Sequence, residues 1–160
     1  MPLQGFSDSS FAEEKDRKSV GGYVFVQANA AVAWRSSKQT IVAQSSTEAE
    51  YIALAEACKE AMWIRKMLHD FKYPDANKPT TIFEDNQSTI QIGKNPIHSS
   101  RTKHIDVKYH AVRGYIKNGD VEVIYRPTEE MTADIMTKSL GKILHRRFTD
   151  YMGLIPIELI

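Results

Sequence analysis

A single cysteine, Cys58, is all the thiol the chain carries, which excludes an internal disulfide and any multi-cysteine zinc site. Cys58 falls inside a long helical pattern and reads as a packing residue suited to a reducing compartment. Long apolar runs are also missing: none reaches the roughly 18 residues of a membrane span. The opening Met1-Pro2-Leu3-Gln4 lacks the pattern of a signal peptide. Neither sign of charge dominates, since 21 Lys and Arg face 20 Asp and Glu, so a strongly basic nucleic-acid arm is excluded while local basic patches stay open. There is no internal repeat, low-complexity tract or linker. What the chain does have is 160 residues with 42% apolar content, enough for the core of one domain. We therefore expect one soluble, intracellular and cytoplasmic domain over 1–160, with its core at about 5–140 and a C-terminal helix and tail over 141–160.

The longest uninterrupted helical signal runs over 47–69, without Gly or Pro. Leu54, Ala57, Ala61, Ile64 and Leu68 recur on one face of it. One turn before Leu54 stands Glu50, on the same stripe, whereas Glu48 points roughly 200° away and should be solvated. A carboxylate at the end of a buried stripe is costly unless paired or bound to a metal. An alternative is a capping box, Thr47-x-x-Glu50, in which Glu50 only returns to the backbone of Thr47. Before this helix, 3–8, 21–27 and 31–36 read as three antiparallel strands, the last two joined by a turn at Ala28-Asn29-Ala30. After it come a breaker-rich loop, a strand over 80–83 ending in Glu84-Asp85, and a short helix reaching Gly93. Asp85 or Asn86 could serve simply as that helix's N-cap. A helix over 103–117, a strand over 121–125 and helices over 131–138 and 142–151 complete the chain. A strand reached through a long helix should lie parallel to the earlier sheet, so the fold class is α/β, a five-stranded mixed sheet with flanking helices.

Three acids sit where such a sheet would gather them: Asp8 on the first strand, Glu50 facing inward and Asp85 at the end of the fourth strand. Asp134 adds a fourth. Carboxylates brought together repel and raise one another's pKa, and hard divalent cations with oxygen ligands, Mg²⁺ or Mn²⁺, are the natural neutraliser. Two such ions about 3.5–4 Å apart can activate water and stabilise a leaving oxygen in phosphodiester hydrolysis.

Five strings, in order, carry a resemblance: Gly5-Phe6-Ser7-Asp8, Ser45-Ser46-Thr47-Glu48-Ala49-Glu50-Tyr51, Glu84-Asp85-Asn86-Gln87-Ser88, Arg101-Thr102-Lys103-His104-Ile105-Asp106 and Ala133-Asp134-Ile135-Met136-Thr137-Lys138. Together they resemble the ribonuclease H domain of copia-type LTR retrotransposon Pol polyproteins, over about 5–154. The resemblance implies a ribonuclease H-like fold, with three antiparallel strands and then two parallel ones. It implies that Asp8, Glu50, Asp85 and Asp134 are catalytic metal ligands for two Mg²⁺ ions, with Mn²⁺ able to substitute. In the family the first carboxylate bridges both ions, the fourth helps hold the ion carrying the attacking water, and the other two hold the second ion. It further implies cleavage of the RNA strand of an RNA/DNA hybrid during reverse transcription, leaving 3′-hydroxyl and 5′-phosphate ends. Ser46, Thr47, Asn86 and Gln87 are similar in place to residues touching the hybrid's minor groove, where RNA shows its 2′-hydroxyl. Arg101 and Lys103, with Lys108, Arg113 and Lys117, form a candidate phosphate-tracking face. Expected partners are the hybrid and the reverse transcriptase of the same polyprotein, with no membrane, in the cytoplasmic virus-like particle. No polymerase segment is present, so the chain reads as an excised part of a polyprotein or a stand-alone relic.

Two departures accompany the resemblance. Relatives often carry a His in the loop after the last strand, where this chain has Arg126-Pro127-Thr128-Glu129-Glu130, so Glu129 or Glu130 substitutes or turnover is slow. Ser99 stands where the family usually has His, with His98 beside it. A weak or inactive nucleic-acid-binding or structural module supporting a reverse transcriptase is therefore the rival reading. Zinc is disfavoured because His104 and His110 are six residues apart, about 240° around a helix. Asp106 and His110, four apart, suit a local pair. A serine hydrolase is disfavoured because no Gly-x-Ser-x-Gly occurs.

Overall fold

The computed structural model describes residues 2–11, 16–95 and 106–157. Its centre is the expected five-stranded mixed sheet, and the strands lie in the order β3-β2-β1-β4-β5. Strands β1 (Gln4–Ser10), β2 (Val20–Gln27) and β3 (Ala30–Lys38) are antiparallel neighbours. Ala28 and Asn29 both adopt positive φ, 51° and 63°. That handedness at both central positions suits a tight hairpin following the right-handed strand twist.

Helix α1 (Ser46–Asp70) carries the chain to β4 (Thr80–Glu84), which pairs parallel to β1. Helices α2 (Gln87–Lys94) and α3, described over Asp106–Lys117, lead to β5 (Val121–Tyr125), parallel to β4. Beyond β5 the expected helix over 131–138 is broken up. A 3₁₀ turn occupies Thr128–Glu130, and α4 is one turn only, Asp134–Thr137. Met131 and Ala133 are fully buried against the sheet, so packing rather than helical periodicity fixes that segment. Helix α5 spans Lys142–Tyr151.

The sheet has two faces with different coverings. On one, Leu54, Ala57, Cys58, Ala61 and Ile64 of α1 pack on Phe25, Ile82, Val121 and Val123. On the other, Phe6, Val24 and Val26 meet Met131, Ala133 and Met152. Alternation along β1 therefore sends Ser7 to the α1 face and Phe6 and Asp8 to the α4 face. Gly22, opposite Asp8, lies directly beneath α4. A Cβ there would lie 2.5 Å from Met136 Cβ and 3.0 Å from Thr137 Cγ2.

Two glycine substitutions separate this close approach from ordinary helix propensity. Gly22→Ala should destabilise by about 1–3 kcal/mol through overpacking. Gly114→Ala, in α3 with nothing within 4 Å of the added methyl, should stabilise by about 0.5–1 kcal/mol. Urea denaturation midpoints measure both; equal shifts would mean that α4 does not press on the sheet as described.

Candidate active site

Parallel pairing of β1 with β4 creates the site. The last paired positions are Phe6 and Phe83, so Asp8 and Asp85 stand two residues further along, side by side at one edge of the sheet. Asp8 is buried on the α4 face, and Asp134, the first residue of α4, is buried with it. Oxygens of Asp8, Asp85 and Asp134 lie within 4.8 Å of one another. On the α1 face a second group, Glu50, Glu84 and Asp85, meets the same limit. Asp85 belongs to both, and the two groups share the edge of one sheet.

Glu84 is the acid that the sequence reading passed over. It ends β4 on the same face as Thr80 and Ile82, and its residue is fully buried. Two-residue alternation from Ile82 was the available signal. Ser7 Oγ donates to Glu84 Oε2 at 2.8 Å, and the Asn86 backbone N–H donates to Oε1 at 3.2 Å. Thr128 is a second addition. Its hydroxyl donates to Asp85 Oδ2 at 2.6 Å, so it is the residue of the loop after β5 that reaches the acids.

Glu48 overturns one expectation. It is buried rather than solvated, and it accepts a hydrogen bond from the Gln44 backbone N–H at 2.9 Å. Ser45 is the N-cap of α1, its Oγ accepting from the Glu48 N–H at 3.1 Å. The capping arrangement thus begins two residues earlier than Thr47-x-x-Glu50 and engages Glu48 instead. Glu50 is left on the inner face, with Oε2 buried and unpartnered.

The other expected positions are placed as follows. Asn86 caps α2, its side-chain oxygen accepting from the Thr89 N–H at 3.0 Å. Thr89 Oγ1 donates to the Thr47 carbonyl at 3.2 Å, drawing together the N-termini of α1 and α2. Ser46 and Gln87 are exposed beside them. Lys108 is paired with Glu56 at 2.6 Å, and Arg113 is bound to the carbonyls of Ile92 and Asn95, so neither is a free phosphate-tracking cation. Asp106 and His110 form their exposed pair at 3.6 Å. Glu130 pairs with Arg126 at 3.2 Å, while Arg126 lies over the Phe83 ring on the α4 face of the sheet. Glu129 is exposed, its carbonyl accepting from Arg147. Arg101, Lys103, His98, Ser99 and His104 lie outside the described residues.

Burial and mutual repulsion dominate the electrostatics. Burial first, then Asp134, pushes the Asp8 carboxyl up to about 7, against the lowering effects of Lys138 and the Thr137 hydroxyl that donates to it. Burial raises Glu50 well above the carboxylate range, with Glu84 the largest neighbouring charge. Burial raises Glu84 as well, despite its two donors, and raises Asp134 despite Lys138. Like charges a few ångströms apart near a protein surface cost about 3–4 kcal/mol per pair. Two buried oxygens, Glu50 Oε2 and Asp134 Oδ1, have no hydrogen-bond donor, one in each group. An all-oxygen set with unfilled positions suits a hard divalent cation and is a poor match for soft metals.

The shift of Asp8 has a signed consequence. A carboxyl whose folded pKa exceeds its unfolded value binds more protons folded than unfolded, so stability falls as pH rises between the two values. In EDTA, Tm should therefore decline from pH 5 through about pH 7 and then level off. Mg²⁺ should raise Tm more at pH 8 than at pH 5, and Asp8→Asn should flatten the decline. Calorimetry across this range checks it; a Tm rising with pH in EDTA would contradict the repulsion described.

Comparison with known proteins bears on the kinship and the fold of the chain. No protein-family model matches the chain. It is 39% identical over 137 residues, 85% of its length, to the retrovirus-related Pol polyprotein from transposon TNT 1-94 of Nicotiana tabacum. It is 32% identical over 98% of its length to that from transposon RE2 of Arabidopsis thaliana. The chain spans about a tenth of each, 10% and 11%. Among solved structures, LC11-RNase H1 in complex with RNA/DNA hybrid superposes with a TM-score of 0.60 at 13% identity, covering 84% of this chain and 93% of that one. Sequence supplies the kinship and superposition the fold: the chain is a relative of the copia-type retrotransposon Pol polyproteins, matching about a tenth of their length, and it has the ribonuclease H fold.

Proposed function

We propose that this segment is a divalent-metal-dependent endoribonuclease that hydrolyses the RNA strand of RNA/DNA hybrids during reverse transcription of a retrotransposon. The observation that carries the reading is the pair of carboxylate groups joined through Asp85, each with one buried oxygen lacking a donor. Asp8, Glu50, Asp85 and Asp134 would hold two Mg²⁺ ions, with Mn²⁺ as a substitute, and Glu84 stands beside Glu50 as a further acid. Such ions supply an activated water and neutralise charge on the leaving 3′-oxygen.

The chain's own residues do the positioning. The hydroxyl of Thr137 fixes Asp8, and that of Thr128 fixes Asp85. Ser7 and the Asn86 N–H hold Glu84 in place. The adjoining N-termini of α1 and α2 offer Ser46, Thr47 and Gln87, with the nearby cap Asn86, to the minor groove of the hybrid. Helix N-termini favour the phosphates on either side of it. The transposon relatives make the reverse transcriptase of the same polyprotein the natural neighbour and a cytoplasmic virus-like particle the natural setting.

The loop after β5 favours a second reading, a weak or inactive nucleic-acid-binding module supporting that reverse transcriptase. It has no histidine, and its Glu130 is occupied by Arg126. One assay separates the two. Purified chain should cut a labelled RNA/DNA hybrid with Mg²⁺, not with EDTA, and should spare single-stranded RNA. Asp85→Asn should reduce cleavage at least about a hundredfold with Tm in EDTA unchanged or higher. Hybrid binding without Mg²⁺-dependent cleavage would establish the second reading, and unchanged cleavage by Asp85→Asn would remove that residue from the site.

A further inference from the structure

Among the described residues, one cationic side chain makes direct contact with the carboxylate groups, that of Lys138. Lys138 follows the single turn of α4, and its backbone N–H donates to the Asp134 carbonyl at 3.0 Å. Its side chain turns back, so that Nζ stands 3.4 Å from Asp8 Oδ1 and 3.2 Å from Asp134 Oδ2. These two acids come from elements far apart in the chain, and the ammonium is held between them. The side chain is one-third exposed, at 32%. It is therefore on the solvent side of two acids that are themselves buried.

We propose that Lys138 is a tethered counter-ion, seated between Asp8 and Asp134, that competes with a divalent cation for that half of the acidic site. The inference rests on the metal-binding reading of the same acids. One ammonium cannot neutralise Asp8, Asp85 and Asp134 together, and it leaves Asp134 Oδ1 without a donor, so it steadies these acids without saturating them. A divalent ion of higher charge density can displace it. The flexible four-carbon stem then lets the ammonium leave toward water at little conformational cost. Lys138 accordingly sets how much free metal is needed before that position fills.

Mn²⁺ titration by calorimetry on the full chain tests this without relying on cleavage. Lys138→Met keeps most of the stem and removes the charge. It should bind Mn²⁺ about tenfold more tightly, a figure well below the unscreened Coulomb value because the side chain is partly solvated. Lys138→Arg keeps the charge and should stay within about twofold of the parent. In EDTA, Lys138→Met should melt a few degrees lower than the parent, because the acids lose their counter-ion. Should the Met variant fold poorly, Lys138→Gln carries the same expectations. Unchanged or weaker Mn²⁺ affinity in the neutral variants would overturn the counter-ion role and leave the nuclease reading standing. Absence of Mn²⁺ binding in all the proteins would overturn both.

Discussion

Carboxylates that repel one another, gathered at the edge of a single sheet, are the constraint around which this fold is arranged. The chain must hold Asp8, Glu50, Glu84, Asp85 and Asp134 close together against burial and repulsion, both of which disfavour their charged forms. It does so by distributing them over rigid elements. Asp8 is fixed in a central strand paired on both sides, Glu84 ends another, Glu50 rides on a 25-residue helix and Asp134 begins a turn wedged against Gly22. The favourable terms come from elsewhere: Phe25, Leu54, Ile82 and Val123 on one face, and Phe6, Val24 and Met131 on the other, are all essentially removed from water. At about 1.5–3 kcal/mol for each such side chain, a handful of them offsets several repulsive carboxylate pairs.

Parity along the strands decides which acid meets which. Because successive residues of β1 alternate, Ser7 and Asp8 serve opposite faces, Ser7 binding Glu84 under α1 and Asp8 meeting Asp134 under α4. Asp85 lies just past the end of β4, where alternation no longer applies, and this is what allows it to contact both groups. A one-residue slip of β1 against β4 would exchange Phe6 and Ser7 between faces and separate Asp8 from Asp134. The two cores therefore do more than stabilise the sheet: they fix the register on which the site depends.

Much of this was legible in the residues. The five strands followed from alternation, and the switch from antiparallel to parallel pairing followed from the helix that must carry the chain between β3 and β4, whereas the spatial order of the strands is a finding of the structure. The inward aim of Glu50 followed from the stripe through Leu54. Angular position alone places Glu48 in solvent, but at this helix N-terminus the Gln44 backbone N–H recruits its carboxylate and buries it. Glu84 shares the parity of Thr80 and Ile82 along β4, and that parity, rather than its place at the strand's end, is what buries it. The short α4 could not be anticipated from periodicity, since burial of Met131 and Ala133 governs it. Lys108 and Arg113 looked like phosphate ligands from their charge alone, but Glu56 and the carbonyls at the end of α2 take them first.

Sharing Asp85 makes the two groups electrostatically one. Any cation entering the Asp8 and Asp134 side lowers the repulsion felt by Glu50 and Glu84 as well, because Asp85, and through space Asp8, raise the pKa of both glutamates. The protein already exploits this on one side only, with Lys138 between Asp8 and Asp134, while Glu84 has hydroxyl and backbone donors and, among the described residues, no cationic side chain pairs with Glu50 or Glu84. The α1 group is thus the more strained of the two in the absence of metal, and its relief depends in part on what occupies the other. Charge on one face of the sheet is communicated to the opposite face through Asp8 and the shared Asp85, with no movement of the backbone required.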